Sequence, residues 1–84
     1  MTTKFSVIND KKDEPTLEDA QAFVEGWVEP VWLSNGDLLL INEEGLMRGF
    51  DINNKATIIA NTTIVGNAML IKKDALKDMK GWRA

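Results

Sequence analysis

Eighty-four residues, 44% of them apolar and 27% charged, are enough for one small folded domain spanning 1–84 and too few for two. The chain has no Cys and no His. That removes disulfides, thiolate metal sites, the commonest general base and every Ser-His or Cys-His nucleophile pair.

Phe5-Ser6-Val7-Ile8 reads as a first strand, ended by the charged turn Asn9 to Pro15. Thr16 then opens a helix: Thr16 with Asp19 is a capping-box pattern, and acid in the first turn suits the helix dipole. Leu17, Ala20, Phe23 and Val24 fall on one face of that helix, and Gly26 is its natural stop.

Residues 27–33 and 38–42 are two β-rich runs around Asn35-Gly36, the strongest short-range signal for a hairpin with a type I′ turn. A two-residue loop places Leu33 opposite Leu38, Val31 opposite Leu40 and Glu29 opposite Asn42. Val28, Trp32, Leu39 and Ile41 then share one side, and Val31, Leu33, Leu38 and Leu40 the other. Both sides are apolar, so both must be covered. Pro30 confines its strand to an edge or to a position where no ladder donor is missed.

Glu43-Glu44-Gly45 reads as a second turn with Gly45 at positive φ, returning through a short strand at residues 46–50. Asp51 to Asn54 is cap chemistry for a new element. Residues 55–61 fit a helix by the spacing of Ala56, Ile59 and Ala60, and a strand by the β-branched trio 57–59. Thr63 to Ile71 reads as a strand bent at Gly66, and Asp74 to Lys80 as a short helix with Leu76 and Met79 inward. The fold class is α+β: a small antiparallel sheet on an Asn-Gly hairpin, flanked by an N-terminal helix and one or two short helices. The ends, 1–4 and 81–84, are expected to be loose.

The order of several short motifs carries a resemblance. Thr16 to Gln21, Gly26-Trp27-Val28-Glu29, Asn35-Gly36, Asn42-Glu43-Glu44-Gly45, Asn54 with Ala56-Thr57, and Gly66-Asn67-Ala68 resemble the segments of a family of small phage and bacterial domains of unknown function. The resemblance spans Thr16 to Ile71. It implies an α+β fold, a helix at roughly 53–60 and a phage or phage-like source. It transfers no activity, and Asn67 stands where an Asp is usual.

Net charge is −3, made of three Lys against eight Asp/Glu in residues 1–42 and seven Lys/Arg against five Asp/Glu in residues 43–84. The basic tail, Lys72, Lys73, Lys77, Lys80 and Arg83 against Asp74 and Asp78, reads as a solvated helix end, so no nucleic-acid partner is expected. No run reaches membrane-spanning length and no secretory signal opens the chain, so the expected compartment is the cytoplasm, that of a host cell if the source is a phage.

No Gly-rich phosphate loop is present, and no cofactor or metal is expected. Candidate contact residues are Trp27, Glu29, Trp32, Asn42, Glu43, Arg48 and Asn54. Three Trp in so short a chain are an enrichment, and Trp offers area with a polar handle, suited to an interface anchor or a stacking platform. Glu29 beside Asn42 would offer a carboxylate and an amide to a ligand. The leading reading is a non-enzymatic accessory protein that binds itself as a homodimer, with Trp32 near the axis, or binds a host or phage protein. The alternative is a nucleotide-like ligand held at a dimer cleft by Trp, Asn and Arg48 side chains.

Overall fold

A computed structural model describes residues 3–82; residues 1–2 and 83–84, which belong to the ends read above as loose, lie outside the described residues. The strands are β1 (Phe5–Ile8), β2 (Val28–Trp32), β3 (Leu38–Asn42) and β4 (Ala68–Ile71), and the helices α1 (Leu17–Val24), α2 (Asn54–Ala60) and α3 (Lys73–Leu76). Single 3-10 turns lie at Lys11–Asp13 and Lys80–Trp82. The sheet order is β1-β4-β3-β2, with β1 parallel to β4 and the other pairs antiparallel. The fold is α+β. Among the described residues no helix is long and apolar enough to cross a membrane.

The two central strands, β3 and β4, are apolar on both sides, and the chain covers both. Leu38, Leu40, Met69 and Ile71 meet Ala20 of α1 and the C-terminal Ala75, Leu76 and Met79. On the opposite face Leu39, Ala68 and Leu70 meet Ala56 of α2 and Ile64. The inward placement of Leu76 and Met79 agrees with the sequence pattern, although the helix there is Lys73–Leu76 rather than 74–80.

α1 begins as its sequence indicates. The Thr16 hydroxyl accepts from the Asp19 amide at 3.0 Å, and the Asp19 carboxylate accepts from the Thr16 amide at 3.2 Å. Its end differs. The left-handed residue is Glu25, at φ 66°, and not Gly26. Gly26 is needed for a close approach instead, because a Cβ there would lie 2.7 Å from the Asn42 amide nitrogen.

The hairpin register is one residue away from the expected one. Trp32 faces Leu38, Val31 faces Leu39, Glu29 faces Ile41 and Val28 faces Asn42. The loop has three residues, Ser34 to Gly36: the Leu33 amide donates to the Asp37 carbonyl and the Gly36 amide to the Leu33 carbonyl, both at 3.0 Å. Gly36 takes φ +96°, as the third residue of such a loop requires. Asp37 holds this register from outside the hairpin. It is 2% exposed. Its carboxylate accepts from the Lys73 amide at 2.7 Å and the Lys72 ammonium at 2.8 Å, so it caps the otherwise uncapped start of α3. A one-residue slip moves side chains to the other face. Glu29 and Asn42 are therefore not partners, and Trp32 does not share a side with Leu39 and Ile41.

Residues 43–49 form consecutive turns, not a turn and a returning strand. Gly45 is absent from the positive-φ residues; it is buried, and a Cβ would meet Val65 Cγ2 at 2.8 Å. The positive φ falls on Gly49, at +73°, where the Phe50 amide reaches back to the Gly45 carbonyl. Residues 54–60 are the helix that the resemblance implied, capped by the Asn53 side chain on the Ala56 amide. The run 63–71 breaks at Gly66, φ +80°, leaving one bridge between Val65 and Ile52 before β4.

Candidate functional site

Asn42, Arg48 and Asn67 converge at the C-terminal end of α1, where the last backbone carbonyls lack helical partners. The Asn67 amide donates to the Phe23 carbonyl at 2.8 Å, and the Asn42 amide to the Val24 carbonyl at 2.9 Å. The Arg48 guanidinium donates to the Glu25 carbonyl. One side chain thus serves each of the last three carbonyls, and the cation also suits the negative end of the helix dipole. The other ends of the two amides are used as well. Asn42 Oδ1 accepts from the Glu44 amide at 2.7 Å, and Asn67 Oδ1 from the Lys4 amide at 2.7 Å. Asn53 ties the same region together, donating to the Lys4 and Gly66 carbonyls at 3.0 and 2.9 Å.

This arrangement sorts the candidate residues. Asn42 is 4% exposed with both ends bonded, so it holds the turn and the helix rather than a ligand. Trp27, Glu43 and Arg48 lie in the same neighbourhood: the Glu43 amide bonds the Trp27 carbonyl, and Arg48 approaches Gly26. Trp27 is 66% exposed. Glu29 is exposed opposite Ile41, away from Asn42. Trp32 is at the far end of β2, and Asn54 is an exposed first residue of α2 behind the true cap, Asn53. The seven candidates therefore do not form one site. Asp37 and Asn53 were legible only as turn and cap residues, and no local signal announces the bonds each makes to distant segments.

A second feature is apolar. On the α1 side of the sheet, Val28, Pro30 and Trp32 of β2 border a groove of about 320 Å³ with Leu17, Leu38 and Trp82. Trp32 is 47% exposed and Leu17 52%. The Trp82 indole N–H donates to the Pro15 carbonyl at 2.9 Å, which fixes one wall. β2 is an edge strand. Its odd-numbered residues bond β3, as the Leu33–Asp37 and Trp27–Glu43 bonds show. The even-numbered residues therefore turn their backbone groups outward. Pro30 is one of them, so the outward edge lacks a donor at its centre and is a poor template for another strand. Side chains, not ladder bonds, are what this edge offers.

Burial pushes the Asp37 carboxyl up, but the Lys72 hydrogen bond, the Lys73 amide, the Lys72 charge and Asn35 together outweigh burial and hold it below the usual carboxylate range. Among the described residues no three carboxylates gather as metal ligands.

Comparison with curated proteins and with solved structures returns no match. The family model described as "Domain of unknown function (DUF3846)" matches residues 3–81. That span takes in the Asn-based cluster at the end of α1 and both strands of the hairpin, and the chain belongs to this family.

Proposed function

We propose that the domain is a non-enzymatic binding module that pairs with a second copy of itself through the Trp32 groove. The observation that carries this reading is the half-exposed indole of Trp32 beside half-exposed Leu17, over a groove floored by Leu38. Trp is enriched among the residues that anchor interfaces. Among the described residues no charged side chain lines the groove, so its best chemical match is an equally uncharged surface. In a two-fold pair the same patch supplies that surface. The blunted edge at Pro30 favours this face-to-face contact over an extended sheet. The non-enzymatic reading rests on the residue inventory and on Asp37, the carboxylate buried among the described residues, being committed to structural bonds.

Sedimentation equilibrium at micromolar concentration tests the proposal. Wild type should give twice the 9.4 kDa protomer mass, and Trp32→Lys should give the protomer mass with an unchanged far-UV spectrum. A wild-type protomer mass at that concentration would overturn the homodimer.

A further inference from the structure

A cleft of about 350 Å³ lies beside the end of α1, away from the Trp32 groove, and is bordered by Glu25, Arg48, Gly49, Phe50, Gly66 and Asn67. Its volume is within the range of small-molecule sites.

The walls are pre-set. The Phe50 ring lies against Gly66, where a Cβ would come within 2.7 Å of Phe50 Cδ2. The Arg48 guanidinium sits over the same ring, 4.7 Å from its centroid. One Arg48 N–H group is spent on the Glu25 carbonyl. No described carboxylate lies within ion-pair distance of Arg48, although the chain is net acidic. A planar guanidinium held by a carbonyl and a ring, with donors left over, is suited to a carboxylate. Gly49 adds a bare stretch of backbone, because nothing lies within 4 Å of the position its Cβ would occupy.

A simple anion is not the best match, because the carboxylate-bearing Glu25 also borders the cleft. Glu25 is the telling residue. It occupies the left-handed backbone region, which glycine fills more easily, yet among the described residues its side chain makes only one bond, at 3.3 Å to the Asn67 amide. Backbone strain accepted for a side chain that the fold barely uses points to a use outside the fold.

We propose that this cleft binds a small zwitterion, its carboxylate on Arg48, its ammonium on Glu25 and its apolar part against Phe50. The ligand class is that of a free amino acid with an aliphatic side chain. The proposal is independent of self-association.

Amide chemical shifts of the full chain, titrated with L-leucine as the probe, test it. Saturable shifts at Gly49, Gly66 and Asn67, half-complete below about 10 mM, are expected for a weak small-ligand site. N-acetylleucine lacks the ammonium and isoamylamine lacks the carboxylate, and each should require at least about tenfold more. Glu25→Gln keeps the backbone carbonyl that Arg48 needs and an acceptor for Asn67, so it should fold as wild type and lose about tenfold in leucine affinity. Absence of saturable shifts with leucine, equal response to N-acetylleucine, or unchanged affinity in Glu25→Gln would each overturn the proposal.

Discussion

Removing the Asn42 side chain should unfasten the end of α1 from the sheet. Asn42→Ala deletes the bond to the Val24 carbonyl at 2.9 Å and the bond from the Glu44 amide at 2.7 Å. Asn42 is 4% exposed, so water does not readily replace either partner. Two lost bonds, with a buried acceptor left unpaired, cost roughly 2–4 kcal/mol. A domain of this length holds only about 4–12 kcal/mol in total. The melting temperature should therefore fall by on the order of 15 °C. Asn42→Asp should be worse at neutral pH, because a carboxylate cannot donate to Val24 and adds negative charge at the negative end of the helix. Asn54→Ala, at an exposed position, should cost less than about 0.5 kcal/mol. Urea unfolding followed by Trp fluorescence measures all three. An Asn42→Ala loss no larger than that of Asn54→Ala would refute the assignment of Asn42 as the clasp of this helix.

Gly45→Ala and Gly49→Ala should both destabilise, the first by about 1–3 kcal/mol because its Cβ collides with Val65, the second by about 1–2 kcal/mol because its φ of +73° disfavours a Cβ; a melting temperature equal to wild type in either would contradict the stated cause. Glu25→Gly should raise stability by roughly 0.5–1 kcal/mol by relieving the left-handed position, measured by the same urea unfolding. The Asp37 carboxyl titrates lower in the folded chain than in the unfolded one. Its contribution is therefore fully present above about pH 4 and disappears as pH falls through the folded-state value. Melting curves from pH 6 to pH 2.5 should show wild type converging on Asp37→Asn, and a constant gap between them would contradict this.

What the sequence disclosed was local. The strand at Phe5 to Ile8, the Thr16–Asp19 capping box and the two-faced apolar character of the central strands follow from residues close together in the chain. The register did not, because it depends on Asp37 being held by Lys72 and Lys73, thirty-five and thirty-six residues away. Asn-Gly marks the hairpin tip correctly, but both two- and three-residue loops accept it. The glycines misled for a related reason. A glycine can serve positive φ or close approach, and only the packed neighbours, Asn42 for Gly26 and Val65 for Gly45, decide which. The candidate site dispersed because Glu29 and Asn42 were paired through the wrong register, whereas the role of Asn42 in its own turn was legible from the chemistry of Asn.

Isotope-filtered nuclear Overhauser spectra of a mixed labelled and unlabelled sample test the central claim, that a second copy of the chain covers the Trp32 groove. Cross-peaks between protomers should connect the Trp32 indole with Leu17, Pro30 or Trp82, which border that groove, and they should vanish in Trp32→Lys. Intermolecular contacts confined to other surfaces, or none at millimolar concentration, would contradict the account.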